Sequence, residues 1–557
     1  MSYLIFTKSE ERSITKASTL TLPRWHYPVA LMTGVVNTLC FSSIHNGGWL
    51  QLAIFSWLFA QLTRTPTWKS AAMTAGAFGF GNFTVGIWWL FISMHVYGGM
   101  PSSIAIVILI LFSLYLSLYP AFSAVLWSFL SGHIRHRSIQ STWNSAFTFA
   151  SAWTLGEWLR GTVLNGFPWL AIGYPQVNGP FSGFAAIVGV YGVGWVLSLF
   201  SAFAVQAIYA VGSIINNNCN ENTENISNSI TYTSRVTLVF LYVGLAATLI
   251  LLGLKLSHIS WTVQSNKPLS IRLLQGNVKQ NIKFDKKYLN ASIAMYQRMI
   301  TEKPADLVIT PETAIPEPIE MLPKLFENTV RRFSEQTGTA VLLGTVASTI
   351  NPDGLYDGYT NSLYGFTPLS QKIYRYDKHH LVPFGEFIPF GIDWISHLMK
   401  IPFNNFVRGN LIQPPFFVHN QPLIISICYE DIFGEEIAKT IRENQQIHGL
   451  LVNVTNLAWF GNTSTLNQHL QIAQMRALET GRPVLRSSNT GMTVAIDSHG
   501  NVIARLKPFT VGALDVLIKE TSGFTPYVKI GNAAVLSVSI IILTFSVLFC
   551  SKLRNKN

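Results

Sequence analysis

The chain has 557 residues, of which 49% are hydrophobic and only 12% charged, with a mean hydropathy of +0.31 and a formal net charge of +12. Soluble domains carry about 25% charged residues, so this composition excludes a disordered chain, a coiled coil and a plain cytosolic enzyme. It leaves a membrane protein with one folded domain outside the bilayer.

In chain order, apolar runs occur at 28–44, 49–63, 71–96, 103–131, 143–159, 181–215 and 236–256, and again at 531–550. A spanning helix needs about 20 such residues. We read eight transmembrane helices, seven of them before residue 257; the runs 49–63 and 143–159 are the shortest. The first run starts late, and Leu39-Cys40 lacks a small residue before a cut, so no cleaved signal is expected. The implied organisation is a terminal segment 1–27, a membrane domain 28–256, an extramembrane domain 257–525, an eighth helix 531–550 and a tail 551–557.

The basic excess belongs to the membrane part. Residues 257–525 hold 24 Lys/Arg against 22 Asp/Glu, and the rest of the chain holds 15 against 5. Nucleic acid is therefore not needed to explain the charge. Alternate loops also differ: Lys8, Arg12, Lys16, Arg24, Arg64, Lys69, Arg135, Arg137, Arg235, Lys552, Arg554 and Lys556 fall on one side, and Arg160, Lys255 and Lys529 on the other. The positive-inside rule puts the first side, with both termini, in the cytoplasm, and 257–525 outside it.

On the outward side, Glu157 and Arg160 stand three apart and would share a helix face. Trp158 and Trp169 suit a membrane interface. The segment reads either as an anchoring belt with one ion pair or as a lipid-headgroup contact.

Residues 257–525 alternate short β-like runs with helical patterns. Strands are expected at 270–274, 306–310, 340–346, 361–366, 423–428, 449–454, 484–488 and 493–497. Helices are expected near 285–301, 319–337, 430–445 and 464–481. This is an α/β layering in which helices cover a sheet. Neither a GxGxxG nor a GxxxxGK[ST] pattern is present, so nucleotide binding has no support.

Three stretches place reactive side chains at or near the ends of apolar runs: Glu312 after Pro311, Lys378 and Glu386 within 376–387, and Cys428 with Glu430 two residues on. A thiolate is the reactive form of cysteine, and a free thiol is mostly protonated at neutral pH. A nearby Glu takes the proton, a Lys favours the thiolate and holds an oxyanion, and the Tyr429 N–H is a second donor. Together they would perform acyl transfer through a thioester. Each has an ordinary reading too: a small core Cys, a solvated Glu, a Lys paired with Asp377. Cys40, Cys219, Cys428 and Cys550 contain no CxxC, so neither a disulfide framework nor a metal site is expected.

The ordered set Pro311-Glu312-Thr313-Ala314, Lys378 through Glu386 and Cys428-Tyr429-Glu430 resembles the nitrilase (carbon–nitrogen hydrolase) superfamily, whose signature is Glu–Lys–Cys. With helices before and after, the chain resembles the membrane-embedded apolipoprotein N-acyltransferase family. Gln275-Gly276-Asn277, Ala458-Trp459-Phe460-Gly461, Gln474 through Glu479, Arg482 through Ser487 and Glu157 through Gly161 extend the resemblance over nearly the whole chain beyond its first 25 or so residues.

The resemblance implies an α-β-β-α sandwich and an acyl transfer from a membrane phospholipid, typically phosphatidylethanolamine, to the α-amino group of a lipoprotein's N-terminal diacylglyceryl-cysteine. It implies Glu312 as general base, Lys378 as oxyanion-stabilising cation and Cys428 as acylated nucleophile, supported by Glu386, Tyr429 and Glu430. No metal, nucleotide or other cofactor is implied. A monomer in a bacterial inner membrane, its catalytic domain facing the periplasm, is expected. Two positions depart from the family pattern: Phe284 stands where a Trp is common, and Leu457 where an Asp is usual. The second departure puts hydrogen bonding in that loop in question.

Both substrates would be lipids, so the site must open at the bilayer. Segment 387–407 is rich in large apolar residues, among them Trp394 and Phe403, and reads as a lid or acyl-chain wall or as a cover on a strand edge. We expect Phe284, Trp394, Phe403 and Trp459 to contact substrate. Two further readings share these residues: a membrane-anchored amidase or nitrilase acting on a small amide or nitrile with water as acceptor, and a non-catalytic transporter or scaffold with an inert nitrilase-like domain.

Overall fold

The computed structural model describes residues 25–41, 46–131, 139–218, 226–350, 353, 356–368, 370–387 and 406–554. Lys8, Arg12, Lys16, Arg24, Arg135, Arg137, Lys556, Trp394 and Phe403 lie outside the described residues.

Helices fall on the apolar runs: α1 (His26–Asn37), α2 (Gly47–Leu62), α3 (Trp68–Gly86), α4 (Ser102–Leu130), α5 (Ile139–Thr162), α6 (Ala185–Asn218), α7 (Ile226–Ser257) and, at the far end, α12 (Ala533–Arg554). Among the described residues, three segments are each long and apolar enough to cross a membrane: Ser102–Leu130, Ser182–Ile215 and Arg235–Ser257. The pair Trp68–Gly86 and Trp89–Tyr97, bent by 45°, is a fourth if taken as one span. The expected eight are not all reached by this measure, and length is one reason. At 1.5 Å per residue, the 12 residues of α1 cover only about 18 Å of a core about 30 Å thick.

Small residues let these helices touch. A Cβ added at Gly34 of α1 would lie 1.9 Å from the Phe78 carbonyl oxygen of α3, and one at Gly81 would lie 2.1 Å from that of Leu31. Without a hydrophobic drive between helices in lipid, such backbone contact is the main source of attraction. The bend after α3 follows Gly86, against which Leu170 packs, and ends in a π-turn at Ser93–Tyr97.

Among the described residues, the region 257–525 holds twelve strands. The order β5-β4-β3-β2-β1-β12 comprises Ser370–Asp377, Tyr356–Thr367, Ala340–Ile350, Leu307–Ile309, Val263–Gln275 and Gly512–Ser522. The order β6-β7-β8-β9-β10-β11 comprises Phe416–Val418, Gln421–Ile427, His448–Thr455, Val484–Ser488, Val494–Ile496 and Val502–Arg505. The two join only where Thr521 and Ser522 pair with Gly449 and His448.

Strand alternation sorts the side chains. Ala340 and Leu342 of β3 enter a core shared with Leu423, Ile425 and Ile427 of β7 and Leu450, Val452 and Val454 of β8. Val341 and Leu343 point the other way, into a core with Tyr296 and Ile300 of α8 (Lys286–Thr301) and Phe326 and Val330 of α9 (Lys324–Thr337). On the second sheet, Ile424 and Leu451 meet Ile437 and Ile441 of α10 (Gly434–Glu443) and Ala473 and Ala477 of α11 (Thr465–Thr480). Each sheet therefore has one face on its partner sheet and one under helices. Asp285 caps α8 by accepting from the Lys287 N–H, and Gly338, at φ +74°, ends α9.

All eight expected strands are present. Four were not expected: β5, β6, β11 and β12. The domain leaves the helices at α7 and returns through α12, so it sits at one end of both.

Helix α11 fastens the domain to the helices. Its Gln468 Oε1 accepts from the indole N–H groups of Trp89 (3.1 Å) and Trp169 (2.8 Å), while Nε2 donates to the Gly86 carbonyl (2.9 Å) at the bend. Glu479 accepts from the Val190 N–H at 2.7 Å. Most of the 157–180 segment is buried beneath the domain, with Thr162, Val163 and Leu164 left exposed, and the expected Glu157–Arg160 ion pair is present at 3.5 Å. Trp169 is 3% exposed. Arg160 donates to the carbonyls of Phe167 and Trp169, each at 2.6 Å, and Glu157, its expected ion-pair partner, accepts from the Ile172 N–H at 3.0 Å.

Candidate active site

Glu312, Lys378 and Cys428 each lie just past the end of a strand: β2, β5 and β7. The parallel edges of β2 and β3 and of β7 and β8 run in step, so neighbouring strand ends open at one place. Pro311 reaches the site across Gly344, where an added Cβ would be 2.0 Å from the Pro311 carbonyl oxygen. Two non-glycine residues here take left-handed backbone, Thr313 at φ +46° and Cys428 at φ +53°. Such conformations persist only where the surroundings enforce them.

Glu312 is buried and held on both oxygens. Oε1 accepts from Asn361 Nδ2 (2.7 Å) and Lys378 Nζ (3.4 Å), and Oε2 accepts from the Asn456 N–H (2.8 Å). Lys378 Nζ also donates to Glu386 Oε1 at 2.9 Å, and Asn361 donates to that same oxygen at 2.9 Å. The Glu386 and Glu312 charges raise the Lys378 pKa against the opposing effect of burial, so it stays an ammonium. Lys378 does not pair with Asp377, whose carboxylate takes Arg375 instead.

Cys428 is partly exposed, and its Sγ accepts from Thr455 Oγ1 at 3.2 Å. Burial and the Glu312 charge push the thiol up to about 12, with Lys378 acting in the opposite direction. The resting sulfur is therefore a thiol, and a base must take its proton as it attacks.

Glu430 ties the two halves together through backbone. Its Oε1 accepts from the N–H groups of His379 (2.6 Å) and His380 (3.2 Å), next to Lys378; its Oε2 accepts from the Ile427 N–H (2.6 Å), next to Cys428, and from Tyr376 Oη (3.0 Å). Burial pushes Glu430 up to about 7, against the pull of those N–H donors and Lys378. The Tyr429 side chain turns away, donating to the Gly166 carbonyl at 3.1 Å. Beside it, His380 Nε2 lies 3.0 Å from the Asn165 carbonyl.

The structure brings together Glu312, Lys378, Glu386, Cys428 and Glu430, with Tyr429 at their border with the helices. Phe284 and Trp459 also meet, ring centroids 6.4 Å apart, and Trp459 stands edge-on to Tyr97 of the bent helix at 6.2 Å. Leu457 leaves its loop well bonded. Asn456 Oδ1 accepts from Asn489 Nδ2 (3.0 Å) and, at a longer 3.4 Å, from the Ala458 N–H; its Nδ2 donates to Gln280 (2.9 Å). Leu457 itself is buried.

Sequence reasoning missed Asn361, Thr455, Asn456 and Lys283. The first three are ordinary polar residues whose role comes from partners up to 144 positions away. Lys283 Nζ, buried, donates to the Glu312 carbonyl at 3.1 Å. Its only signal was its place beside Phe284. Among the described residues, no group of three or more His, Cys, Asp or Glu side chains is arranged to hold a metal ion.

Residues 33–203 match the family model described as the apolipoprotein N-acyltransferase N-terminal domain, and residues 270–527 match that of carbon-nitrogen hydrolase. The chain is 43% identical over 521 residues to the apolipoprotein N-acyltransferase of Ralstonia nicotianae, covering 93% of this chain and 92% of that protein. It is 36% identical over 492 residues to that of Nitrosomonas europaea, with 87% and 89% covered. The Haemophilus influenzae protein of the same name is 32% identical over 529 residues, with 93% of each covered.

Proposed function

The chain belongs to the apolipoprotein N-acyltransferase family, and we propose that it carries an acyl group from a membrane phospholipid to a lipoprotein amine through a thioester on Cys428. It is an acyltransferase that N-acylates lipoproteins, built on a carbon-nitrogen hydrolase domain suited to cysteine chemistry. The observation that carries the thioester reading is the convergence of Glu312 and Lys378, 3.4 Å apart, in the buried network that also raises the Cys428 thiol.

Glu312 takes the thiol proton as Sγ attacks the ester carbonyl. Lys378 and the Tyr429 N–H hold the oxyanion, at about 3–4 kcal/mol for a donor of this kind. Collapse breaks the ester bond, and the lysophospholipid leaves with the proton from Glu312. The diacylglyceryl-cysteine amine of the acceptor then attacks the thioester. Glu312 takes the amine's proton, and collapse returns the thiolate, which is reprotonated. The attacking amine must be neutral, so the second step rises with pH toward the α-amino pKa of about 8.

Phosphatidylethanolamine is the donor we favour, with the enzyme acting as a monomer. We read Phe284 and Trp459, both half-buried and Trp459 beside Tyr97, as acyl-chain contacts, with Trp394 and Phe403 completing that set. We take residues 28–256 and 531–550 as eight spans, residues 257–525 as an α-β-β-α sandwich, and the bacterial inner membrane, sandwich outward, as the setting. Supporting the sandwich are the three cores, one between sheets and two under helices. The loop charge asymmetry supports the orientation.

The test is transfer itself. Purified protein with labelled phosphatidylethanolamine and a diacylglyceryl-cysteine peptide should yield N-acylated peptide. Hydrolysis of small amides with no peptide acylation would favour the amidase reading. For orientation, a membrane-impermeant thiol reagent outside spheroplasts should label a Cys introduced on the surface of 257–525; labelling only after lysis would reverse the topology.

A further inference from the structure

Glu312, Glu386 and Lys378 form a buried cluster of two carboxylates and one ammonium. Its formal charge is −1, and isolated net charge in a low-dielectric site is costly. A net negative site also opposes the two negative species the reaction needs, a thiolate and then an oxyanion. Lys283 is the second buried cation at this place. It is 3% exposed, reaches the cluster from the turn after β1, and donates to the Glu312 carbonyl at 3.1 Å. Among the described residues no carboxylate lies within ion-pair distance of it. The groups whose charge it feels are Glu312 and Cys428. Other charges nearby are already matched: Arg486 and His469 bind Asp431, and Glu430 is held by backbone N–H groups.

We infer that Lys283 is the balancing cation of this site, a positioning residue that acts through Glu312 and Cys428 and makes loss of the thiol proton easier. With Lys283 charged, the cluster is neutral at rest. It stays neutral when the proton moves from Cys428 to Glu312, since the charge shifts but none is added. Burial pushes Lys283 down to about 8, with the Glu312 and Cys428 charges opposing. At pH 7 it is still mostly an ammonium, and a thiolate beside it would hold it so.

The inference rests on Cys428 as the nucleophile, and the test separates the two. Full-length protein in detergent is alkylated with iodoacetamide across pH 6–10, and the Cys428 peptide is quantified by mass. Lys283→Gln can still donate to the Glu312 carbonyl but carries no charge, whereas Lys283→Arg keeps the charge. We expect the Lys283→Gln profile to move up by about one pH unit, a tenfold loss of rate at fixed pH, and Lys283→Arg to follow wild type. A Lys283→Gln profile that superimposes on wild type overturns the inference, as does an equal shift in both variants. Should Lys283→Gln not fold, an upward shift in Lys283→Arg alone is enough to overturn it. An unreactive Cys428 in the wild-type protein would instead overturn the thioester reading beneath it.

Discussion

Lys378 Nζ lies 2.9 Å from Glu386 Oε1, closer than the 3.4 Å that separates it from Glu312 Oε1. The tighter partner is the carboxylate eight residues along the chain, whose other oxygen is fixed by the Val382 N–H at 2.8 Å. Glu386 anchors the ammonium, and Glu312 is left as the carboxylate able to exchange a proton.

Glu386→Gln should therefore weaken the placement of Lys378 without removing any reacting group. Hydrogen bonds to charged groups contribute about 1.5–3 kcal/mol, so kcat for acyl transfer should fall by about 10- to 100-fold. Alkylation of Cys428 should persist. Steady-state assays with labelled phospholipid and peptide check this; an unchanged kcat would show that Lys378 is positioned without Glu386.

Lys378→Arg should be nearly as damaging as Lys378→Ala, with losses of about 100-fold or more in kcat. A planar guanidinium cannot take the compact, buried place of an ammonium set between Asn361, Glu312 and Glu386. Near-wild-type turnover in the Arg variant would mean that Lys378 serves only as a structural cation.

The strand ends were legible in the sequence because apolar runs broken by Pro311 or followed by polar residues leave a clear edge. Glu312 and Cys428 could therefore be placed at the ends of runs before any fold was known, whereas Lys378 follows β5, a largely polar strand with no such edge. β12 was not legible. Only Asp515 and Leu517 are exposed among partly or fully covered positions, an irregular pattern, and its partner β1 lies some 250 residues earlier. The fate of the 157–180 segment was hidden for a related reason. Its tryptophans carry the composition of a membrane interface, and only the distant Gln468 reveals that Trp169 is buried against the domain. Lys283 was illegible because nothing local distinguishes a buried lysine from its solvated neighbours Lys286 and Lys287.

The docking helix gives a third expectation. Gln468→Leu leaves the buried indole N–H of Trp169 without its partner, whereas the Gly86 carbonyl keeps the Trp89 indole N–H at 3.1 Å. Each buried polar group left unsatisfied costs about 1–3 kcal/mol, so the melting temperature in detergent should fall by several degrees. Acyl transfer should fall with it, since the bend carries Tyr97 toward Trp459. A Leu variant with unchanged melting would show that the domain and helices are held elsewhere.

The thiol's protonation gives a fourth. With Cys428 pushed up to about 12, ionisation by solvent alone is negligible at pH 8, and reactivity there depends on Glu312. Glu312→Gln should cut iodoacetamide labelling of the Cys428 peptide at pH 8 by about 100-fold, with the residual rate rising as pH approaches 10. Equal rates in the two proteins would show that another group takes the proton.

The central claim is that the acyl group rests on Cys428 between donor and acceptor. Intact mass spectrometry of the purified protein after incubation with phosphatidylethanolamine and no acceptor tests it most directly. A mass increase of one acyl chain is expected, with lysophospholipid released in equal amount, removal of the adduct when the lipopeptide is added, and none of this in Cys428→Ala. Lysophospholipid that forms only when the lipopeptide is present, with no adduct at any time, would mean direct transfer in a ternary complex and would contradict it.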